Sequence, residues 1–179
     1  MPSLVTIIVQ SATLKAFANI TAQILQQLKS PTPIPLDWNR VLEFAVFGIV
    51  SAPLISLWQR ALDETFPTQL AVQSQQRNER NPQINWPNVL LKLLLDQTIG
   101  LFVANVVFII CTTGARLQSS TLILQEVQAR IFRILLAAWK IWPAVSLVNF
   151  LWVPWHSRVV VTSLVGFGWN IILSVLSST

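Results

Sequence analysis

Apolar positions run along this chain in four long blocks: about Leu4 to Leu28, Trp38 to Trp58, Trp86 to Thr113 and Arg158 to Leu176. A helix that crosses a bilayer needs about 20 residues, so each block predicts a transmembrane helix. The first block is the most polar, with Lys15, Asn19 and Gln23 inside it. It ends in Lys29-Ser30-Pro31-Thr32-Pro33-Ile34-Pro35, whose prolines cannot continue a helix and suit a short stiff linker. The second has no charge between Glu43 and Arg60. Its Trp38 and Trp58 would stand about 30 Å apart on a helix, which predicts an aromatic anchor at each interface. The third is uncharged from Gln97 to Ala115, and the last carries no charge after Arg158.

Between the blocks the pattern changes. Residues 62–85 are rich in Gln, Asn and Arg and predict a solvated loop. Residues 122–140 place Glu126, Arg130 and Arg133 on one helical face and Ile131, Leu135 and Ala138 elsewhere, the pattern of an amphipathic helix at the interface or docked on the bundle. Trp142-Pro143 and Val153-Pro154 then punctuate a short apolar stretch, because a residue before proline leaves the helical region. The expected fold is all-α, a polytopic integral membrane protein. A single membrane domain over 1–179 holds about four transmembrane helices and one amphipathic interfacial helix. Counting Lys and Arg on a four-span path puts both termini and the Arg60–Arg80 loop on one side. Lys29, Arg40, Arg116, Arg130, Arg133 and Lys140 then fall on the cytosolic or matrix side.

Composition agrees with the pattern. Of 179 residues, 53% are hydrophobic and 11% charged, with mean hydropathy +0.59; an ordinary soluble domain is roughly a quarter charged. The net charge of +5 is scattered without a basic run, which argues against nucleic acid as a partner. One cysteine, Cys111, and one histidine, His156, make neither an internal disulfide nor a metal cluster. The N-terminal stretch lacks the positive charge of a cleavable signal or presequence, so the first segment is expected to be retained. The sequon at Asn19-Ile20-Thr21 lies within an apolar block, out of reach of glycosylation.

Ionisable side chains within spans are costly and by default face the bundle interior or water. At 100° per residue Lys15, Asn19, Gln23 and Gln26 share an arc of roughly 80°, a polar stripe that either lines a hydrated path or hydrogen-bonds to neighbouring helices. Lys92 and Asp96 are four apart and can neutralise each other, with Gly100 continuing their face and Gln97 beside them. An unpaired Asp96 would also suit Lys15 or Arg158. Arg158 can snorkel to phosphates, bond carbonyls freed by Pro154, or pair with Asp96. Ser163, Gly166, Asn170 and Ser174 share an arc whose small residues allow close helix packing. Catalytic signatures are missing: there is no GxSxG, HExxH, P-loop or glycine-rich dinucleotide turn. Asp63 and Glu64 are adjacent and point to different sides of a helix, a poor arrangement for paired carboxylates. His156 acquires no role beyond a headgroup contact. The chain reads as a non-enzyme that needs no cofactor and no metal.

The C-terminal third carries Trp139-Lys140-x-Trp142-Pro143-Ala144, Asn149-Phe150, Val153-Pro154, Arg158-Val159 and Trp169-Asn170-x-x-Leu173-Ser174. Upstream stand Ala22-Gln23, Gly48, Pro53-Leu54 with Trp58, and Lys92-x-x-x-Asp96-Gln97. Together these resemble the family of the twenty-two-kilodalton peroxisomal membrane protein, with its mitochondrial Mpv-seventeen and Sym-one branches, over essentially the whole chain. The resemblance makes Asn149, Pro154, Arg158, Trp169 and Asn170 signature positions. Departures include Asn19 for the aspartate of a Gly-Asp pair, Ser56 and Gln59 for a His and a Tyr, and Ser146 for a frequent glutamine; they look closer to the peroxisomal branch. The resemblance implies a four-helix membrane protein proposed to form channels for small solutes, with a homo-oligomer as the expected assembly, in the peroxisomal or else the mitochondrial inner membrane. Lys15, Asn19, Gln23, Lys92, Asp96 and Gln97 are the expected pore-lining or intramembrane polar residues, with membrane lipid and small solutes as partners. The competing expectation is a scaffolding membrane protein whose polar residues are interhelical glue.

Overall fold

Helices start where the sequence supplies a cap. In the computed structural model, which describes residues 3–32, 35–69, 83–117 and 119–176 without the side chains of Lys29, Ala115 and residues 169–176, Ser3 accepts the Thr6 amide and opens α1 (Leu4–Lys29). Asp37 accepts the Arg40 amide at the start of α2 (Trp38–Thr65). Asn85 accepts the Asn88 amide ahead of α3 (Trp86–Leu95), with Pro87 in the first turn where its missing N–H costs nothing. A single π turn, Asp96–Gly100, joins α3 to α4 (Leu101–Leu117). α5 (Ser120–Ala138), α6 (Trp142–Trp152) and α7 (Trp155–Leu176) follow.

Among the described residues three helices are long and apolar enough to cross a membrane: Leu4–Leu28, Trp38–Thr65 and the run Trp86–Gly114. α5 and α6 meet at 61° and together make one further broken span. α7, 22 residues and about 33 Å long, is one helix over residues 158–176, where the last span is expected. The all-α polytopic architecture is therefore as expected, and outward-facing Leu42, Leu57, Leu94, Phe102 and Phe132 present hydrocarbon to lipid.

Three expectations are corrected. α2 runs on to Thr65, so its last turn takes Leu62 and Asp63 out of the predicted loop; Leu62 is buried and Asp63 faces inward. The base of that loop is tied by the Asn85 amide on the Thr68 carbonyl and by the Gln69–Ile84 bridge, and its residues 70–82 lie outside the described ones. Trp58 is not an interfacial anchor like the exposed Trp38: its indole N–H points inward to Asp96. The third concerns the path. α4 ends where Arg116 bonds Glu43 near the start of α2, and α6 ends where the Phe150 carbonyl accepts Thr68, beyond the end of α2. The α5–α6 pair thus carries the chain from one end of the bundle to the other. Among the described residues α1 begins and α7 ends at opposite ends of the bundle, which a four-span path does not give. The amphipathic α5 is docked against α4 on the way.

Close approach rests on small residues. A Cβ on Gly48 would lie 2.5 Å from the Ala12 Cα, so the backbones of α1 and α2 touch there. Buried Ile7, Ala52 and Val159 close the α1, α2 and α7 junction below it.

Candidate functional site

The crossing segments leave a cavity of about 460 Å³ between them, reached by residues of α1, α2, the π turn and α4 to α7. Its walls are mostly apolar, including Phe44, Phe47, Phe108 and Trp142, and they are interrupted by Lys15, Gln59, Asp96, Gln97, Asn105 and Ser146. At roughly 30 Å³ per molecule, that space equals about fifteen waters.

Asp96 is its best-bonded group. Oδ1 accepts the indole N–H of Trp58 at 3.1 Å and the Gln59 amide at 2.9 Å. Oδ2 accepts the Ser146 hydroxyl at 2.7 Å and the Gln97 amide at 3.3 Å. Asp96 keeps the α-helical bond of its amide to the Lys92 carbonyl. The π turn begins there, with the Leu101 amide on the Asp96 carbonyl, and such turns inside α-helices are frequent at functional sites. Gly100 leaves the room, since a Cβ there would lie 2.6 Å from the Trp58 Nε1. The Gln97 carbonyl accepts Trp139, which anchors the end of α5 beside the turn.

Lys92 and Asp96 therefore do not form the expected pair. Lys92, wholly buried, donates to Asp63 Oδ1 at 2.7 Å and to Thr68 Oγ1, over the ring of Phe150. Arg158 is not on a phosphate and not on Asp96. It is 2% exposed, and its Nη2 donates to the same Asp63 Oδ1 at 3.1 Å. Its Nε donates to the Val153 carbonyl just past α6 and to the Asn149 carbonyl, which also accepts the Val153 amide; the carbonyl that Pro154 frees, that of Phe150, accepts Thr68 instead. Its Nη1 meets Gln59 Oε1 at 3.3 Å, so the Gln59 amide bridges Arg158 and Asp96. Two cations, Lys92 and Arg158, are matched by two carboxylates, Asp63 and Asp96, in one connected network.

Lys15 stands apart from that network. Its Nζ donates to Ser11 Oγ at 3.1 Å and Ser51 Oγ at 2.9 Å and lies 4.4 Å from the centroid of Phe47. The expected stripe of α1 divides. Lys15 lines the cavity, whereas Asn19 is buried and bonded to Gln23 at 2.7 Å, and Gln23 exchanges two bonds with the backbone of Asp37. Asn19 and Gln23 hold the linker between α1 and α2 and do not face the cavity, and Gln26 is exposed. At that end Arg116 clamps Glu43 at 2.6 Å and Asp37 at 3.5 Å, and the bond to Glu43 raises its pKa above the ordinary arginine value.

Among the signature positions, Asn149 is buried, lines the cavity and leaves its Oδ1 without a partner, as does Gln97 with its Oε1; both want a donor from the cavity. The side chains of Trp169 and Asn170 lie outside the described residues. His156 stacks edge-on against Trp155, which in turn lies under Arg60.

A model of the Mpv17 / PMP22 family matches residues 116–174. PXMP2/4 family protein 3 of Dictyostelium discoideum is 32% identical over 170 residues, covering 94% of this chain and 80% of the relative. Protein SYM1 of Eremothecium gossypii is 32% identical over 162 residues, covering 87% and 81%. The chain belongs to the Mpv17 / PMP22 family. No solved structure matches it. Within this Mpv17 / PMP22 protein, the matched segment supplies Ser146, Asn149 and Arg158, the α6 and α7 side of the cavity and its charge network.

Proposed function

We propose that this protein is an organelle-membrane channel passing small solutes through the space between its crossing helices. The observation that carries the reading is the 460 Å³ cavity, whose polar groups come from α1, α2, the π turn, α4 and α6 and sit inside an otherwise apolar bundle. Lipid cannot satisfy such groups, but a hydrated lumen can. The orphan acceptors of Asn149 and Gln97 fit the same picture, because water or a passing solute would supply their donors. The peroxisomal membrane is the proposed location, with the mitochondrial inner membrane as the alternative, since the relatives carry both PXMP2/4 and SYM1 names. A homo-oligomer in lipid is the proposed working form.

A second reading has its own support. The Lys92, Asp63, Arg158, Gln59 and Asp96 network is closed on itself, as interhelical glue in a scaffold would be. Graded-solute swelling of liposomes holding the purified protein separates the two. A channel passes small neutral solutes and excludes larger ones, and a scaffold leaves the vesicles as tight as empty controls.

A further inference from the structure

Charge accounting inside the bundle leaves one group over. Asp63 serves Lys92 and Arg158, Asp96 accepts four donors, and Glu43 is clamped by Arg116. Among the described residues, no carboxylate lies within ion-pair distance of Lys15. Its partners are two neutral hydroxyls and the ring of Phe47, and Phe47 is itself a wall of the cavity that Lys15 lines. An ammonium in hydrocarbon calls for a counter-charge, and charge-assisted bonds to a carboxylate are about twice as strong as neutral ones.

We infer that the cavity binds a small organic carboxylate, with Lys15 as the residue that takes its anionic end. Phe44, Phe47, Phe108 and Ile55 beside it suit an apolar body better than a hydrated inorganic ion. A volume of 460 Å³ lies within the roughly 300–1,000 Å³ range of small-molecule sites. Asp96 does not compete for a cationic ligand, because its oxygens are already engaged. The inference rests on the cavity of the proposed channel and names the solute class it prefers. The carboxylate could arrive from solution or as a fatty acid from the surrounding bilayer.

The test uses the full chain in detergent micelles, with the fluorescence of the cavity-lining Trp58 and Trp142 as one readout and titration calorimetry as the other. Butyrate is compared with butanol and butylammonium, and then with laurate. Butyrate should bind saturably and butylammonium should not. K15Q should weaken butyrate binding by about tenfold, the weight of one charged hydrogen bond, while K15R keeps it within a few-fold. Tighter binding of laurate than of butyrate would support the site and assign its ligand to the bilayer. Equal responses to butyrate and butylammonium, or no response to either carboxylate, would overturn the inference. If K15Q does not fold, the wild-type contrast between anion and cation still decides. Binding in micelles alongside vesicles tight to neutral solutes would leave the carboxylate site standing and remove the channel.

Discussion

Lys92 Nζ lies 2.7 Å from Asp63 Oδ1, across the α2–α3 junction, and Asp63 shares that oxygen with Arg158 Nη2. One carboxylate on the last turn of α2 thus holds two otherwise buried cations from two other segments. The pairing that sequence spacing favours, Lys92 with Asp96 on one helix face, gives way to long-range ones: Lys92 bonds Asp63 and Thr68, and Asp96 accepts Trp58, Gln59 and Ser146.

Replacing Asp63 with Asn should be more damaging than replacing Lys92 with Met. Removing one partner of a buried pair costs about 3–5 kcal/mol, and Asp63→Asn strands two cations where Lys92→Met strands none. Thermal unfolding in detergent should rank the variants wild type, Lys92→Met, Asp63→Asn. The reverse order would show that the cations are solvated from elsewhere.

Arg158→Leu should reduce insertion or folding before it alters permeability, since the guanidinium joins Val153 and Asn149 carbonyls, Gln59 and Asp63 around the α6–α7 break. Lysine should not rescue it, because a single ammonium cannot reach acceptors on both edges of a planar fork. Membrane yield and protease resistance measure the effect. A stable, well-inserted Arg158→Leu protein with altered solute passage would make Arg158 part of the path.

Glycines should separate by what their missing side chain makes room for. Gly48→Ala meets the Ala12 backbone and should cost most, about 1–3 kcal/mol or more by overpacking. Gly100→Ala should cost less, because the Trp58 indole can move, but it should break the Trp58–Asp96 bond and shift tryptophan emission. Equal stability of the Gly48 and Gly100 variants would contradict the close α1–α2 contact.

Much of this fold was legible in the sequence. Long uninterrupted apolar blocks fix helices, and prolines at 143 and 154 mark breaks, because both signals are local. Partner choice was not legible. Trp58 reads as a belt residue at its spacing from Trp38, and Asp63 reads as loop because polar residues follow it. A signal was nonetheless present. Gly48, Ala52, Ser56 and Gln59 recur every three or four residues as the buried stripe of a helix, and the half-buried Asp63 continues it past Trp58. Gln59 and Ser146, noted only as departures from the family pattern, prove to donate to the same carboxylate, Asp96. That convergence joins residues 87 positions apart, which no local periodicity contains. The bend at Lys140 was likewise hidden, since α5 and α6 look like an interfacial helix and a short stub until Trp139 is seen to dock on the Gln97 carbonyl.

Blocking the cavity decides whether it is the path. Gly166 lines it, and a Cβ added there meets nothing within 4 Å, so a bulky side chain can enter without straining the backbone. The measurement is the swelling rate of proteoliposomes in small neutral solutes, for wild type and Gly166→Phe of matched thermal stability. Wild-type vesicles should be permeable, and the rate for Gly166→Phe should be at least several-fold slower. Equal rates for the two proteins, or wild-type vesicles as tight as protein-free ones, would contradict the proposed channel.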